Sequence, residues 1–329
     1  MKRRCLGRTA LQVSELGLGG LFVSKGGGPY EQAKAAIDLA LDLGVNYIDT
    51  APRYLNSEEV LGKALAEEGR PLILSTKLGG RPDPFDAQDK DGLMQSVEES
   101  LRLLRRDYID LLMIHEADRP GQFDWWTDWE EVEGPVLEVL DDLKRDGVIG
   151  YTGLGGSAVY EMAHLVRSGK FDVVLTAFNY SLLWREAGQH VFPAAKQHDM
   201  GIIIGSPLQQ GALARRYDVQ VAEGAPWMNP PRRAQFRALY ALLDELAMPL
   251  AEVALRFTLS NPDVSCVLTG ARSREEVELN VASAVRGPLP EDVLHRLDEI
   301  AAMVPYRPFE EPFSLPFTRK YRGPGEAGR

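Results

Sequence analysis

Two cysteines in 329 residues are too few for a disulfide framework. They are Cys5 and Cys266, both in apolar, strand-like surroundings, and each reads as a small buried hydrophobe of a protein kept reduced. A cytoplasmic location is the expectation. Long hydrophobic runs are missing too: no stretch of ~20 apolar residues could cross a bilayer, and no apolar h-region follows the charged start Met1-Lys-Arg-Arg. Positive charge is in deficit, with 37 Lys and Arg against 48 Asp and Glu, a formal net charge of −11. Such a surface repels phosphates and disfavours nucleic acid and anionic lipid as partners, while a small anion in a local pocket stays allowed. Metal signatures are lacking. The five histidines, His115, His164, His190, His198 and His295, show no HExxH spacing and no cysteine partners. Apart from His115, they fall in predicted helices and read as surface residues.

What is present is a rhythm. Short runs rich in Val, Ile and Leu occur at Leu16–Gly19, Val45–Asp49, Leu72–Lys77, Tyr108–His115, Val148–Gly153, Val173–Ala177, Gly201–Ser206 and Val264–Thr269. Apolar residues at consecutive positions are the mark of a parallel strand buried on both faces. Helical patterns separate them: Glu31–Leu43 before Gly44, Gly92–Arg105 with Leu93, Val97, Leu101 and Leu104 on one face, Val136–Arg145, Ala158–Arg167 and Gly188–His198. Eight strand–helix units predict a closed (β/α)8 TIM barrel rather than an open sheet. With no linker composition anywhere, residues 1–305 are expected to form a single domain. Two long loops, Glu116–Gly134 after the fourth strand and Leu208–Pro231 after the seventh, fall on the catalytic face of such a barrel. The tail 306–329, rich in Pro, Phe, Tyr and charge, is either disordered or folded back over that face.

The chemistry-bearing residues collect at strand ends. Asp49 closes the second strand and is followed by Thr50-Ala-Pro-Arg-Tyr54; Lys77 closes the third and His115 the fourth. One polar strand end is simply where solvent begins. An acid, a base and an imidazole ending three successive buried strands, with a phenol in the adjoining loop, make a coherent proton-transfer set. An ammonium beside a phenol lowers its pKa from ~10 toward neutrality, a carboxylate keeps that ammonium charged, and an imidazole can polarise a carbonyl oxygen.

These stretches resemble the aldo-keto reductases: Asp49-Thr-Ala-Pro-Arg-Tyr54, Ser75-Thr-Lys77, the strand-end His115, Gly205-Ser-Pro-Leu208 with Gly211, and Gly270-Ala-Arg272 followed by Asn280. The likeness runs from Leu6 to about Ile300. It implies a nicotinamide-dependent oxidoreductase with Asp49, Tyr54, Lys77 and His115 as the catalytic four. It places Ser206, Leu208 and Gly211 at the dinucleotide diphosphate and Arg272, Glu276 and Asn280 at the adenosine end, with Gly20, Pro207 and Gly270 in the cofactor set. A helix N-terminus with a nearby arginine is independently a sound phosphate site, and pairing of Arg272 or Arg274 with a 2′-phosphate makes NADP(H) the expected cofactor, with NAD(H) as the alternative. A rival match to G-x-G-x-x-A, Gly153-Leu-Gly-Gly-Ser-Ala158, is weak because no acidic residue ends the next strand.

The sequence departs from the family pattern where the nicotinamide is normally held. Gly155-Gly156 stand in place of a Ser-Asn pair, Ala177 in place of a Gln, and Gly205 in place of a stacking aromatic. Asn179 or a loop aromatic is the expected substitute. Members similar to L-galactose dehydrogenase share small residues at several of these places, and Pro226-Trp227 looks like that subgroup. Trp125, Trp126 and Trp129 fall among acidic residues in the loop after His115. With Trp227, Trp125 and Trp126 are expected to meet a substrate, which points to a sugar or sugar-derived carbonyl or alcohol; the other reading is that the rings of this loop pack it onto the barrel. The alternative is a cofactor-binding redox sensor or regulatory subunit on the same barrel, as in the potassium-channel β subunits.

Overall fold

The computed structural model describes residues 1–121, 123–225, 228–308 and 311. Two short strands, β1 (Arg3–Cys5) and β2 (Gln12–Ser14), pair as an antiparallel hairpin ahead of the barrel. The closed barrel follows, with strands β3 (Leu16–Gly19), β4 (Tyr47–Asp49), β5 (Ile73–Leu78), β6 (Ile109–His115), β7 (Ile149–Gly156), β8 (Val173–Ala177), β9 (Gly201–Gly205) and β10 (Cys266–Gly270). Each pairs in parallel with its sequence neighbours, and β10 closes the ring on β3. All eight barrel strands lie where the apolar runs predict them, and the expected (β/α)8 barrel is the observed fold.

The barrel helices are α1 (Tyr30–Asp42), α2 (Ser57–Ala64), α3 (Lys90–Leu104), α4 (Pro135–Arg145), α5 (Val159–Arg167) and α6 (Glu186–Gln197). After β9 come α7 (Asp218–Glu223), α8 (Pro230–Leu246) and α9 (Leu250–Ser260), and after β10 α10 (Arg274–Val285) and α11 (Glu291–Ala302). Local chemistry sets their ends. Asp89 caps α3 by accepting from the Asp91 N–H at 3.1 Å, and Asn229 caps α8 by accepting from Arg232 at 2.9 Å, with Pro230 pre-set for the first turn. The predicted apolar face of α3 buries Leu93, Val97 and Leu104 against the barrel, while Leu101 is only half-buried.

The core has two layers around the barrel wall, beside a third cluster among α8, α9 and α11 that includes Phe236, Leu243, Val253 and Leu297. Between the strands and the helix ring packs the larger cluster, which includes Ile37, Ile48, Leu112, Ile114, Val136, Leu165 and Ile204. Inside the barrel lies a smaller one of Tyr47, Ile73, Leu111, Met113, Val173, Leu175, Ile203, Cys266 and Leu268. Leu6 and Val13 of the hairpin join this inner cluster, so β1 and β2 close the barrel at the strands' N-terminal end. Cys266 is buried there as expected, but Cys5 is exposed on the hairpin, because a two-stranded ribbon covers only one of its faces. Of the tail, Glu311 is buried and its carboxylate accepts from Trp184 Nε1 at 2.6 Å and Arg232 Nε at 2.8 Å. Most of the tail lies outside the described residues.

Candidate active site

Alternation along a strand decides what faces the barrel interior. Counting in twos from the inner cluster brings each strand to one last inward position at its C-terminal end. From Tyr47, Ile73, Met113, Leu175, Ile203 and Leu268 these are Asp49, Lys77, His115, Ala177, Gly205 and Gly270. Tyr151 packs on the same cluster and leads to Gly155, whose added Cβ would meet the Lys77 stem at 3.5 Å. Gly17 faces Tyr47, Cys266 and Leu268 and leads to Gly19. The barrel mouth therefore has two halves. Strands β4, β5 and β6 present an acid, a base and an imidazole. Strands β7 to β10 and β3 present only glycine and alanine.

The polar half is tightly wired. Lys77 Nζ donates to both oxygens of Asp49, at 2.7 and 2.8 Å, and to the carbonyl of Thr50 at 2.8 Å. Their side chains are only 1% and 3% exposed. Tyr47 donates to Ser75 Oγ at 2.8 Å, and Ser75 donates to Asp49 Oδ1 at 2.8 Å, so the carboxylate is held from below by a hydroxyl relay inside the barrel. Burial works against the Lys77 ammonium, but the facing Asp49 carboxylate and the Tyr54 phenol more than offset it, and its pKa is raised.

Tyr54 is half-buried in the loop after β4, its ring centroid 4.8 Å from Lys77 Nζ and 5.7 Å from the His115 ring, which it meets edge-on. The phenol pKa is raised, not lowered as the sequence suggests. Burial dominates, and the pull of Lys77 is countered by the charge of Asp49. Tyr54 is thus a neutral proton carrier at ordinary pH. Burial, then the charges of Lys77 and Arg53, push the His115 pKa well down, so its imidazole is neutral. Its Nδ1 is buried and finds no hydrogen-bond partner among the described residues.

The tryptophans of the loop after β6 do not line an open site as expected. Trp125 is completely buried, its indole N–H donates to the His115 carbonyl at 3.3 Å, and it packs against Phe85 and Phe123. Trp126 is half-buried and tied to the Ala117 carbonyl at 2.9 Å while its ring meets Phe171 edge-on. Trp129 stacks on His164 at 4.9 Å. These rings fix the loop to the barrel: the indole N–H groups of Trp125 and Trp126 are spent on backbone carbonyls, and all three rings pack on protein. Trp227 lies outside the described residues.

Small residues suit a flat ring laid over the mouth. An added Cβ on Gly205 would already press Leu175 at 3.1 Å and Ala177 at 3.3 Å, and Phe22 lies against the Cα of Gly270. Between Gly155 and Gly270 no strand end carries a side chain larger than a methyl group, and neighbouring side chains, Phe22 and the Lys77 stem among them, close over the glycines, a donor-poor surface that fits a flat nicotinamide ring. Asn179, the expected substitute contact, is buried and spends its amide N–H on the Ser157 carbonyl at 2.7 Å, bracing the β7 and β8 ends. Asp118 braces the β7 end as well. It accepts from the backbone N–H groups of Ser157 (2.6 Å) and Ala158, and its Oδ1 occupies the space a Gly156 side chain would need. Burial, resisted by those N–H donors, raises its pKa to about 6.

The residues expected at the diphosphate and adenosine sit on the adjoining rim. Ser206 (φ 53°), Gln209, Gln210 and Gly211 (φ 104°) take positive φ, which folds the β9 loop back sharply around Pro207 and Leu208. Gly20 is buried, and an added Cβ would stand 2.7 Å from the Asp49 carbonyl. Ser273 caps α10 by accepting from the Glu276 N–H at 3.3 Å, and a Glu276 carboxylate oxygen accepts in turn from the Arg272 N–H at 2.7 Å. That leaves the exposed Arg272 guanidinium 4.7 Å from the Phe22 ring with no ion pair among the described residues. Asn280 is half-buried on the same helix.

The Ser75 and Tyr47 relay and the continuation of the small mouth residues through Gly270 and Gly19 are the features sequence reasoning missed. Both were available by counting in twos from the buried apolar residues of each strand. A separate surface cavity of about 710 Å³, lined by Tyr180, Arg185, Gln189, Phe192 and Lys196, does not touch the mouth. No group of three or more His, Cys, Asp or Glu among the described residues is arranged to hold a metal ion. No helix among them is long and apolar enough to cross a membrane.

Known proteins resemble this chain in sequence and fold. L-galactose dehydrogenase of Arabidopsis thaliana is 30% identical over 293 residues, covering 85% of this chain and 87% of that protein. A putative voltage-gated potassium channel subunit beta of Schizosaccharomyces pombe is 27% identical, with 92% and 94% covered. A solved aldo-keto reductase from Bacillus halodurans, in its holo form, superposes with a TM-score of 0.75 at 29% identity, covering 92% of this chain and 96% of that one. Residues 15–302 match the family profile described as "Aldo/keto reductase family". On that match and this barrel, the chain belongs to the aldo/keto reductase family of oxidoreductases.

Proposed function

We propose that the protein interconverts a carbonyl and an alcohol with NADP(H) as preferred cofactor, NAD(H) being the alternative, and with a sugar or sugar-derived aldehyde or ketone as substrate. The observation that carries the reading is the half-buried Tyr54 standing over the Lys77–Asp49 pair and edge-on to a neutral His115. A bound nicotinamide supplies or accepts the hydride. Tyr54 gives its proton to the carbonyl oxygen in reduction and takes it back in oxidation. The raised pKa keeps that proton in place at neutral pH, and the Lys77 ammonium stabilises the phenolate left behind. Asp49 keeps the ammonium oriented, with Ser75 and Tyr47 fixing Asp49 in turn. His115, held neutral, offers the same oxygen a hydrogen bond without adding charge.

The sugar assignment draws on the likeness to L-galactose dehydrogenase and on the small-residue half of the mouth. It no longer draws on Trp125, which is buried. The test is steady-state turnover of a panel of aldoses and alkyl aldehydes with each cofactor. Better kcat/KM on aldoses supports the reading; turnover of small aliphatic aldehydes alone refutes it. The likeness to a potassium-channel β subunit favours the regulatory alternative, which predicts cofactor binding with no turnover of any panel member.

A further inference from the structure

Arg53 directly precedes Tyr54 on the catalytic rim, and its place in the structure is specific. The Gly79–Gly80 turn after β5 separates it from His115: an added Cβ on Gly79 would meet His115 Cβ at 3.3 Å, while one on Gly80 would strike the Arg53 stem at 2.6 Å. The Gly79–Gly80 pair is thus all that stands between the Arg53 stem and His115 along this turn. The Arg53 guanidinium carbon stands 5.2 Å from the centre of the Phe123 ring, and Phe123 is itself braced by Phe85 and Trp125. An aromatic platform thus orients the cation. The guanidinium is exposed and has no carboxylate partner within 4.0 Å among the described residues, in a chain of net charge −11 where most neighbouring arginines are paired. Lys77 is neutralised by Asp49, Glu116 is paired with Arg119, and Tyr54 and His115 are neutral, so Arg53, whose charge reaches His115, is left as a cation without a carboxylate partner beside the mouth.

We propose that Arg53 selects substrates carrying an anionic substituent, a carboxylate or a phosphate, beyond the reacting carbon, so that the preferred sugars are sugar acids or sugar phosphates. This rests on the sugar reading above for the sugar part only. A planar guanidinium presents paired N–H donors matched to either anion, and a charged hydrogen bond on a wet rim is worth on the order of tenfold in affinity.

The experiment compares matched substrates: a hexose with its uronic acid and its 6-phosphate, and butyraldehyde with succinic semialdehyde. Both kcat/KM and the Kd of each compound for the NADPH-loaded protein, by titration calorimetry, are measured for the unmodified protein, Arg53→Gln and Arg53→Lys. The NADPH Kd of each variant checks its folding. The expected result is about a tenfold advantage for the anionic member of each set, falling to near one in Arg53→Gln through KM and Kd rather than kcat, and partly recovered in Arg53→Lys. If the sugars neither bind nor react while succinic semialdehyde keeps its Arg53-dependent advantage, the sugar reading falls and the anion selection stands. A ratio near one in the unmodified protein, a ratio that survives Arg53→Gln, or failure of every anionic compound to bind would overturn the inference.

Discussion

Lys77 Nζ lies 2.7 and 2.8 Å from the two carboxylate oxygens of Asp49, and both side chains are sealed from solvent. A buried pair is weak evidence for stability in itself, but removing one partner strands the other charge, at a cost of about 3–5 kcal/mol. Lys77→Met should therefore lower the unfolding free energy measured by chemical denaturation by that amount, and adding Asp49→Asn should recover part of the loss. A double variant no more stable than Lys77→Met would show that the stranded carboxylate is not the cause.

His115 links the site to pH. Its folded pKa lies well below the ordinary ~6.5. Between the two values the unfolded chain binds a proton that the folded chain does not, so stability rises with pH, by about 1.4 kcal/mol per unit for this one group. The contribution is fully present above pH ~6.5 and shrinks as pH falls below it. Asp118, raised to about 6, works in the opposite sense between its unfolded value near 4 and 6. The clean measurement is the difference in slope between the unmodified protein and His115→Gln. Below pH 6.5 the slope of the variant should be lower than that of the unmodified protein by up to about 1.4 kcal/mol per pH unit; identical slopes would mean that His115 is not held neutral.

Trp125 is a structural residue on this account. Complete burial and the hydrogen bond to the His115 carbonyl give Trp125→Ala an expected loss of about 3–5 kcal/mol, with KM changed little in the fraction that remains folded. A raised KM with unchanged thermal stability would return the indole to the substrate site.

Arg272 is exposed, oriented by Phe22 and the α10 cap, and without an ion pair among the described residues. Preference for NADP over NAD, measured as a ratio of Kd values, should fall in Arg272→Ala by on the order of tenfold or more. Equal affinities in the unmodified protein would refute the assignment.

The barrel was legible in the sequence because each strand is buried on both faces and reads as an unbroken apolar run, as Val173–Ala177 and Leu16–Gly19 do. The hairpin of β1 and β2 was not, because three-residue strands with exposed edges carry no such run. Asp49, Lys77 and His115 stood out as polar ends to apolar strands, and the structure brings them together. The fate of the tryptophans was hidden for a physical reason. Trp125 in an acidic loop fits a substrate contact and loop packing equally well, and the packing of Phe85 and Phe123 around it decides for the second. The direction of the Tyr54 shift was hidden likewise: sequence pairs a lysine with a carboxylate beside the phenol, but does not show that burial of the phenol outweighs the pull of the lysine.

The central claim is that Tyr54 moves the proton while the rest of the site holds it in place. Tyr54→Phe keeps the ring beside Lys77 and His115 and removes only the hydroxyl. Loss of a general acid/base is expected to lower kcat by about 10²–10⁴-fold, with the NADPH Kd and thermal stability close to those of the unmodified protein. The most direct measurement is single-turnover hydride transfer in Tyr54→Phe beside the NADPH Kd of the same preparation. A fall in rate of about 10²-fold or more with an unchanged Kd is the predicted result, and a rate near that of the unmodified protein would contradict the account.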